Sequence, residues 1–209
     1  MGYGPLATGY QLPAEGSLMT RPADFVRSVF RDTAIAHGRF ADASSQTVVA
    51  AAEAIIRSLA GGGKVLAFGN GGSASDAQHL VAELVGRFEH ERRGLAAVAL
   101  TADSSVLTAI ANDYGYARVF ARQIEALGNK GDVAFGISTS GRSPNVALAL
   151  AAARARGLVT IALTGRDGGE LGSEVDIHLN VAEDSTARIQ EVHRTVLHAI
   201  CSLIDQHQP

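Results

Sequence analysis

Five short runs in this chain are apolar and β-rich, the first four at nearly every consecutive position: "KVLAFGN", "LAAVALT", "DVAFGIST", "LVTIALTG" and "VDIHLNV". A strand with one face in water alternates apolar and polar residues. A strand without that alternation must be covered on both faces. Each run is separated from the next by helix-like sequence or by a turn. Fully apolar strands alternating with helices define an α/β protein with a parallel sheet between helical layers. Two helical segments precede the strands. Pro22 suits a first helical turn, and "ADFVRSVFRDTAIAHGRF" places Phe25, Val29, Ile35 and Phe40 at helical spacing. "SSQTVVAAAEAIIRSLAGGG" reads as a second helix stopped by glycines, and Ser185 to Gln206 as a long amphipathic final helix.

The 209 residues suit one domain, or one domain with a helical appendage. With 46% hydrophobic and 19% charged residues the chain can bury a sizeable core. A net charge of -3 argues against a nucleic-acid partner, which requires a basic face. A phosphate ligand stays open, because helix N-termini hold phosphate without lysines. The single Cys201 has no disulfide partner in the chain and fits the reducing cytoplasm. No apolar stretch approaches the ~20 residues of a membrane span, and no signal peptide is expected. Residues 1–20, rich in Gly and Pro, read as a flexible arm or leader, with Met19 a candidate internal start. Residues 21–209 read as a single domain.

Two stretches echo each other: "VLAFGNGGSASDAQHL" and "VAFGISTSGRSPNVAL" each run strand, Gly/Ser/Thr loop, helix. In open α/β sheets ligands bind beyond the C-terminal strand ends. Two such loops side by side make one polar cup. In the second loop Ser138, Thr139, Ser140 and Ser143 supply four hydroxyls within six residues. Pro144 at the first helical position makes Ser143 the expected N-cap. Hydroxyls, free backbone N–H groups and the helix dipole together form an anion site. The same spacing also describes an ordinary capped turn. The first loop formally matches G-x-G-x-x-A, from Gly69 to Ala74. A dinucleotide site is disfavoured, since Asp103 lies well beyond the ~20-residue offset of a ribose-binding acid. Asn70 and Ser73 suit sugar hydroxyls or a phosphate edge.

His79 and Glu83 are four apart on the helix after the first loop and share a face. Gln190 and His198 are eight apart and share a face of the last helix. Two imidazoles, a carboxylate and an amide are donors that suit Zn²⁺, although Gln is an uncommon ligand. Periodicity alone does not bring the pairs together, and each also reads as a solvated polar face. His193, between Gln190 and His198, is a decoy. His37, His90, His178 and His207 belong to no constellation. Asn112 and Asp113, in "AIANDYGY", read as loop residues beside the cup, suited either to sugar hydroxyls or to turn chemistry.

Taken together, "GNGGSASDAQHLVAELVGRF", "AIANDYGY", "GDVAFGISTSGRSPN" and "ARIQEVHRTVLH" resemble the phosphoheptose isomerases of the sugar-isomerase (SIS) superfamily, over about Arg21 to Asp205. The resemblance implies a flavodoxin-like three-layer sandwich with a five-stranded parallel sheet and N-terminal helices, assembled as a homotetramer. It implies interconversion of sedoheptulose 7-phosphate and D-glycero-D-manno-heptose 7-phosphate for lipopolysaccharide or surface polysaccharide. It places one Zn²⁺ per subunit on His79, Glu83, Gln190 and His198. Substrate contacts fall on Asn70, Gly71, Gly72, Glu83, Asn112, Asp113, Ser138, Thr139, Ser140, Ser143 and Gln190. Glu83 and His198 become the acid–base pair, and Arg87 a further contact. Aldose–ketose isomerisation through an enediol needs a base and a proton shuttle of these types. Several family members carry Asp where this chain has Ala187, so an auxiliary role there is absent or passes to a neighbour such as Asp184. The closest rival is the initiator-associating replication scaffold, which shares the fold without keeping the acid–base pair. Both Glu83 and His198 are present here, which favours the enzyme.

Overall fold

The structure, a computed structural model, describes residues 21–207. The expected arm at residues 1–20 lies outside them.

The chain opens with one helix, α1 (Pro22–Ala60), where the sequence predicts two. Nothing between its halves forces a break. Ser45, the second residue of the segment read as a second helix, turns its hydroxyl back onto the Ala41 carbonyl at 2.6 Å and stays inside the helix. There follow β1 (Val65–Gly69), α2 (Gly72–Val85), β2 (Ala97–Ala99), α3 (Ser104–Tyr114), α4 (Ala121–Leu127) and β3 (Val133–Ser138). The chain then continues through α5 (Pro144–Ala155), β4 (Val159–Gly165), β5 (Ile177–Val181) and α6 (Thr186–Gln206). Single 3₁₀ turns occur at Tyr116–Arg118 and Glu170–Ser173.

The strands form one five-stranded sheet in the order β2-β1-β3-β4-β5, and every pairing is parallel. Strand residues alternate between two cores. Val65, Ala67, Val133, Phe135 and Ile137 face the layer of α1, α2 and α6. Leu66, Phe68 and Ala134 face that of α3, α4 and α5. Complete burial of large side chains such as Phe68 and Phe135 contributes about 1.5–3 kcal/mol each. This is the expected three-layer sandwich. Chain order reverses between β1 and β3, so the loops after these two strands flank the switch point where such sheets bind ligands. Among the described residues no helix is long and apolar enough to cross a membrane.

Candidate active site

The second loop forms as its residue types suggest. Ser138 ends β3, and its hydroxyl lies 2.9 Å from that of Ser143 and 3.4 Å from that of Ser140. Ser143 occupies the N-cap position of α5 but makes no side-chain cap bond. Its hydroxyl turns to Ser138 instead; Pro144 has no N–H and the Val146 N–H bonds the Ser143 carbonyl at 3.1 Å, so the Asn145 N–H is the one left for an anion at this end of α5. Thr139 and Ser140 are half-buried beside it.

The neighbouring loop after β4 braces this one. Gly141 (φ +63°) has no room for a side chain, because the Gly168 carbonyl occupies that space. Arg142 donates to both carboxylate oxygens of Asp167, at 2.8 and 2.5 Å. The Arg142 hydrogen bonds hold the Asp167 carboxyl down to about 2.

Two asparagines tie the first loop to the second. Asn70 Nδ2 donates to Asn145 Oδ1 at 2.9 Å, and Asn145 Nδ2 donates to Asn70 Oδ1 at 2.8 Å. Tyr116 also donates its hydroxyl to Asn70 Oδ1, at 3.3 Å. The sequence echo set Asn70 and Asn145 in matching stretches but assigned Asn145 and Tyr116 no role. Gly71 and Gly72 lead into α2, and Ser73 is buried under the first turn. Asn112 and Asp113 lie in the last turn of α3, not in a loop; Gly115 caps the helix just after them. Both are exposed, and Asn112 Nδ2 donates to the Asp113 carboxylate at 2.8 Å.

The seam between α2 and α6 carries the remaining candidates. His79 Nε2 and His198 Nε2 are 2.8 Å apart, and His79 Nε2 lies 3.4 Å from Glu83 Oε1. Burial lowers the His79 pKa below its ordinary value; the positive Arg194 adds to this, and Glu83 opposes it. Phe88 packs against His198 with ring centroids 5.4 Å apart. Gln190 stands elsewhere: its amide packs over Gly72, and any side chain on Gly72 would collide with it. His79 lies seven residues further along α2, about 10 Å of helix rise. A polar recess of about 600 Å³ is lined there by Gly72, Asp76, Gln190, Glu191 and Arg194. Ala187 is also on its wall, whereas Asp184 is absent from it. Asp76, paired with Arg194 at 2.7 Å, keeps one buried oxygen without a partner, and burial raises its pKa despite that cation. Arg87 is exposed and, among the described residues, pairs with Glu91 at 3.6 Å.

Arg92 and Asp205, which sequence reasoning missed, fix the seam. Arg92 donates to the Glu83 and Leu84 carbonyls at 2.7 and 2.9 Å and to Asp205 Oδ1 at 2.7 Å. The guanidinium thereby caps the end of α2 and ties it to the end of α6. His193, the decoy, is fully buried and bonds the Thr164 carbonyl at 2.8 Å. His37 bridges the Thr33 carbonyl and Thr195, and His178 bonds Thr164, so both are structural.

The chemistry of the donors in the α2–α6 seam suits a divalent ion. Two imidazole nitrogens that meet at 2.8 Å, with a carboxylate beside them, offer a place an ion can take. Among the described residues no three of His, Cys, Asp and Glu are already gathered as a shell. The chain therefore presents His79, Glu83 and His198 as a donor set and leaves Gln190 apart.

A parallel α/β sheet with a hydroxyl-rich cup at its switch point and an imidazole–carboxylate cluster beside it defines an SIS-type domain. The SIS domain model matches residues 30–165. A phosphoheptose isomerase of Geobacter sulfurreducens is 59% identical over 155 residues, 74% of this chain and 82% of the relative. The structure of the phosphoheptose isomerase of Neisseria gonorrhoeae superposes with a TM-score of 0.84 at 48% identity, over 88% of this chain and 98% of the other. That of Francisella tularensis superposes with a TM-score of 0.86 at 40% identity, over 90% and 100%. The chain belongs to the phosphoheptose isomerase family.

Proposed function

We propose that this isomerase interconverts sedoheptulose 7-phosphate and D-glycero-D-manno-heptose 7-phosphate, supplying heptose for lipopolysaccharide or surface polysaccharide. The observation that carries the reading is the meeting of His79, Glu83 and His198 at the α2–α6 seam. A non-catalytic scaffold has no need of such a cluster.

The phosphate rests in the cup of Ser138, Thr139, Ser140 and Ser143, against the N-terminus of α5. Asn70, Gly71, Gly72, Ser73, Asn112, Asp113 and Gln190 line the sugar. Glu83 takes a proton from C1 of the ketose, leaving an enediol. His198 moves the O1 proton to O2. Glu83 returns its proton to C2, which leaves the aldehyde at C1. His79, Glu83 and His198 would hold one Zn²⁺ per subunit, with Gln190 able to join only by leaving Gly72. A bound ion supplies Lewis-acid stabilisation of negative charge on the sugar oxygens. The exposed Phe25 and Phe30 of α1 support a homotetramer, and the reduced Cys201 a cytoplasmic enzyme.

Sedoheptulose 7-phosphate turnover by the purified protein tests this directly. Glu83→Gln keeps the shape of the side chain and removes the base, so kcat should fall by ~10²–10⁴-fold with the fold intact. Turnover close to that of the unaltered enzyme would remove Glu83 from the mechanism.

A further inference from the structure

The geometry points to Asn145 and Tyr116 as positioning residues that fix which face of the Asn70 amide meets the sugar phosphate. This rests on the functional reading above.

The hydrogen-bond inventory of Asn70 carries the argument. A carboxamide has two acceptor lone pairs on oxygen and two N–H donors. Asn70 Oδ1 receives Asn145 Nδ2 at 2.8 Å and the Tyr116 hydroxyl at 3.3 Å, so both lone pairs are engaged. Asn70 Nδ2 spends one proton on Asn145 Oδ1 at 2.9 Å. One N–H remains. Asn70 is only partly buried, at the C-terminal end of β1, whereas Asn145 is 3% exposed, in the first turn of α5. The pair therefore runs from the core to the cup and presents a single donor to the ligand. A donor is what the lone pairs of a sugar hydroxyl or a phosphate oxygen require.

A simple loop tie needs one hydrogen bond. Here both polar atoms of each amide are used, and a third residue from the α3–α4 connection adds to one of them. Reversal of the Asn70 amide would set nitrogen against the Asn145 N–H and oxygen against oxygen, and would present an acceptor to the ligand. Asn145 opposes that reversal from the buried side and Tyr116 from the exposed side. Asn145 also lies two residues beyond Ser143, so the pair holds the two halves of the cup in register.

A double-mutant cycle tests the assignment. Asn145→Ala and Tyr116→Phe should each raise KM for sedoheptulose 7-phosphate by about five- to tenfold, the size of one lost hydrogen bond. In each variant kcat should stay within about twofold, because the Asn70 contact is made in ground and transition states alike. In an Asn70→Ala background neither change should raise KM further, whereas a general loosening of the loops would persist there. Circular dichroism checks the fold of each variant, and if Asn145→Ala does not fold, the Tyr116→Phe cycle decides. Unchanged KM in the single variants, or full additivity with Asn70→Ala, overturns the proposal. If the unaltered protein binds sedoheptulose 7-phosphate calorimetrically without turning it over, the chemistry proposed for Glu83 and His198 fails. The same cycle read as Kd then still decides the roles of Asn145 and Tyr116. A protein that neither binds nor turns over the sugar phosphate overturns both.

Discussion

His193 and His198 share a helix and a side-chain type, and their surroundings separate them. His198 has a ring nitrogen at the seam with His79. His193 is sealed from water, with one nitrogen on the Thr164 carbonyl and Nδ1 without a partner. Burial pushes its pKa down to about 4, and the Thr164 bond offsets only part of that. The unfolded chain takes up a proton on this ring near 6.5 while the folded chain does not. The contribution of neutral His193 to stability is therefore full above 6.5, shrinks as pH falls towards 4, and levels off below. Over that window the loss is on the order of 3 kcal/mol. His193→Gln keeps a donor for Thr164 and cannot titrate. Its urea midpoint should fall less between pH 7 and pH 4.5 than that of the unaltered protein. Equal falls in the two proteins would show that another group governs acid stability.

At the scale of elements, α2 and α6 form a pair whose ends are tied by Arg92 and Asp205, with side chains 2% and 1% exposed. Removing one member of a buried ion pair strands the other and costs about 3–5 kcal/mol. Arg92→Met should lower the denaturation midpoint accordingly, and Asp205→Asn less, because it keeps an acceptor for Arg92. The Glu83 carbonyl is one of the groups Arg92 holds, so kcat should also drop in Arg92→Met at temperatures where it stays folded. An unchanged midpoint would mean that the tie carries no stability. This tie was not legible in the sequence. Arg92 and Asp205 are 113 residues apart, and no local pattern links them. The strands, the serine loop and the start of α6 at Ser185 were legible, because each rests on neighbouring residues: apolar runs, Pro144, a capping hydroxyl. Where local signals misled, a local competitor had won. The segment opening at Ser44 was read as a separate helix, but Ser45 bonds within α1, and Asn112–Asp113 resembled a turn but close α3 ahead of Gly115. Helical spacing correctly set His79 with Glu83 on one face. It could not show that His198 meets them while Gln190 stops at Gly72, since periodicity defines a face and not its neighbour.

On the scale of the whole molecule, α1 leaves Phe25, Phe30 and Ile35 exposed at 62%, 71% and 51%. Large apolar side chains left exposed within about three turns of one helix mark a contact surface. Replacing Phe25 and Phe30 together with glutamate should convert the proposed tetramer to smaller species in sedimentation velocity, with far-UV circular dichroism preserved. An unchanged sedimentation coefficient would locate the assembly contacts elsewhere. The meeting of His79 and His198 spans 119 residues, and this has a consequence for how the protein is made. A ribosome working from the N-terminus finishes both cup loops by Asn145 and adds α6 (Thr186–Gln206) only later. Until then the sheet face that Ile189, Val192, Leu197 and Ile200 cover lies open. A chain interrupted before α6 thus carries a cup without His198 and a bare apolar face, the kind of surface that chaperones and proteases recognise. On the roles proposed for these residues, activity waits until the α6 segment has been made.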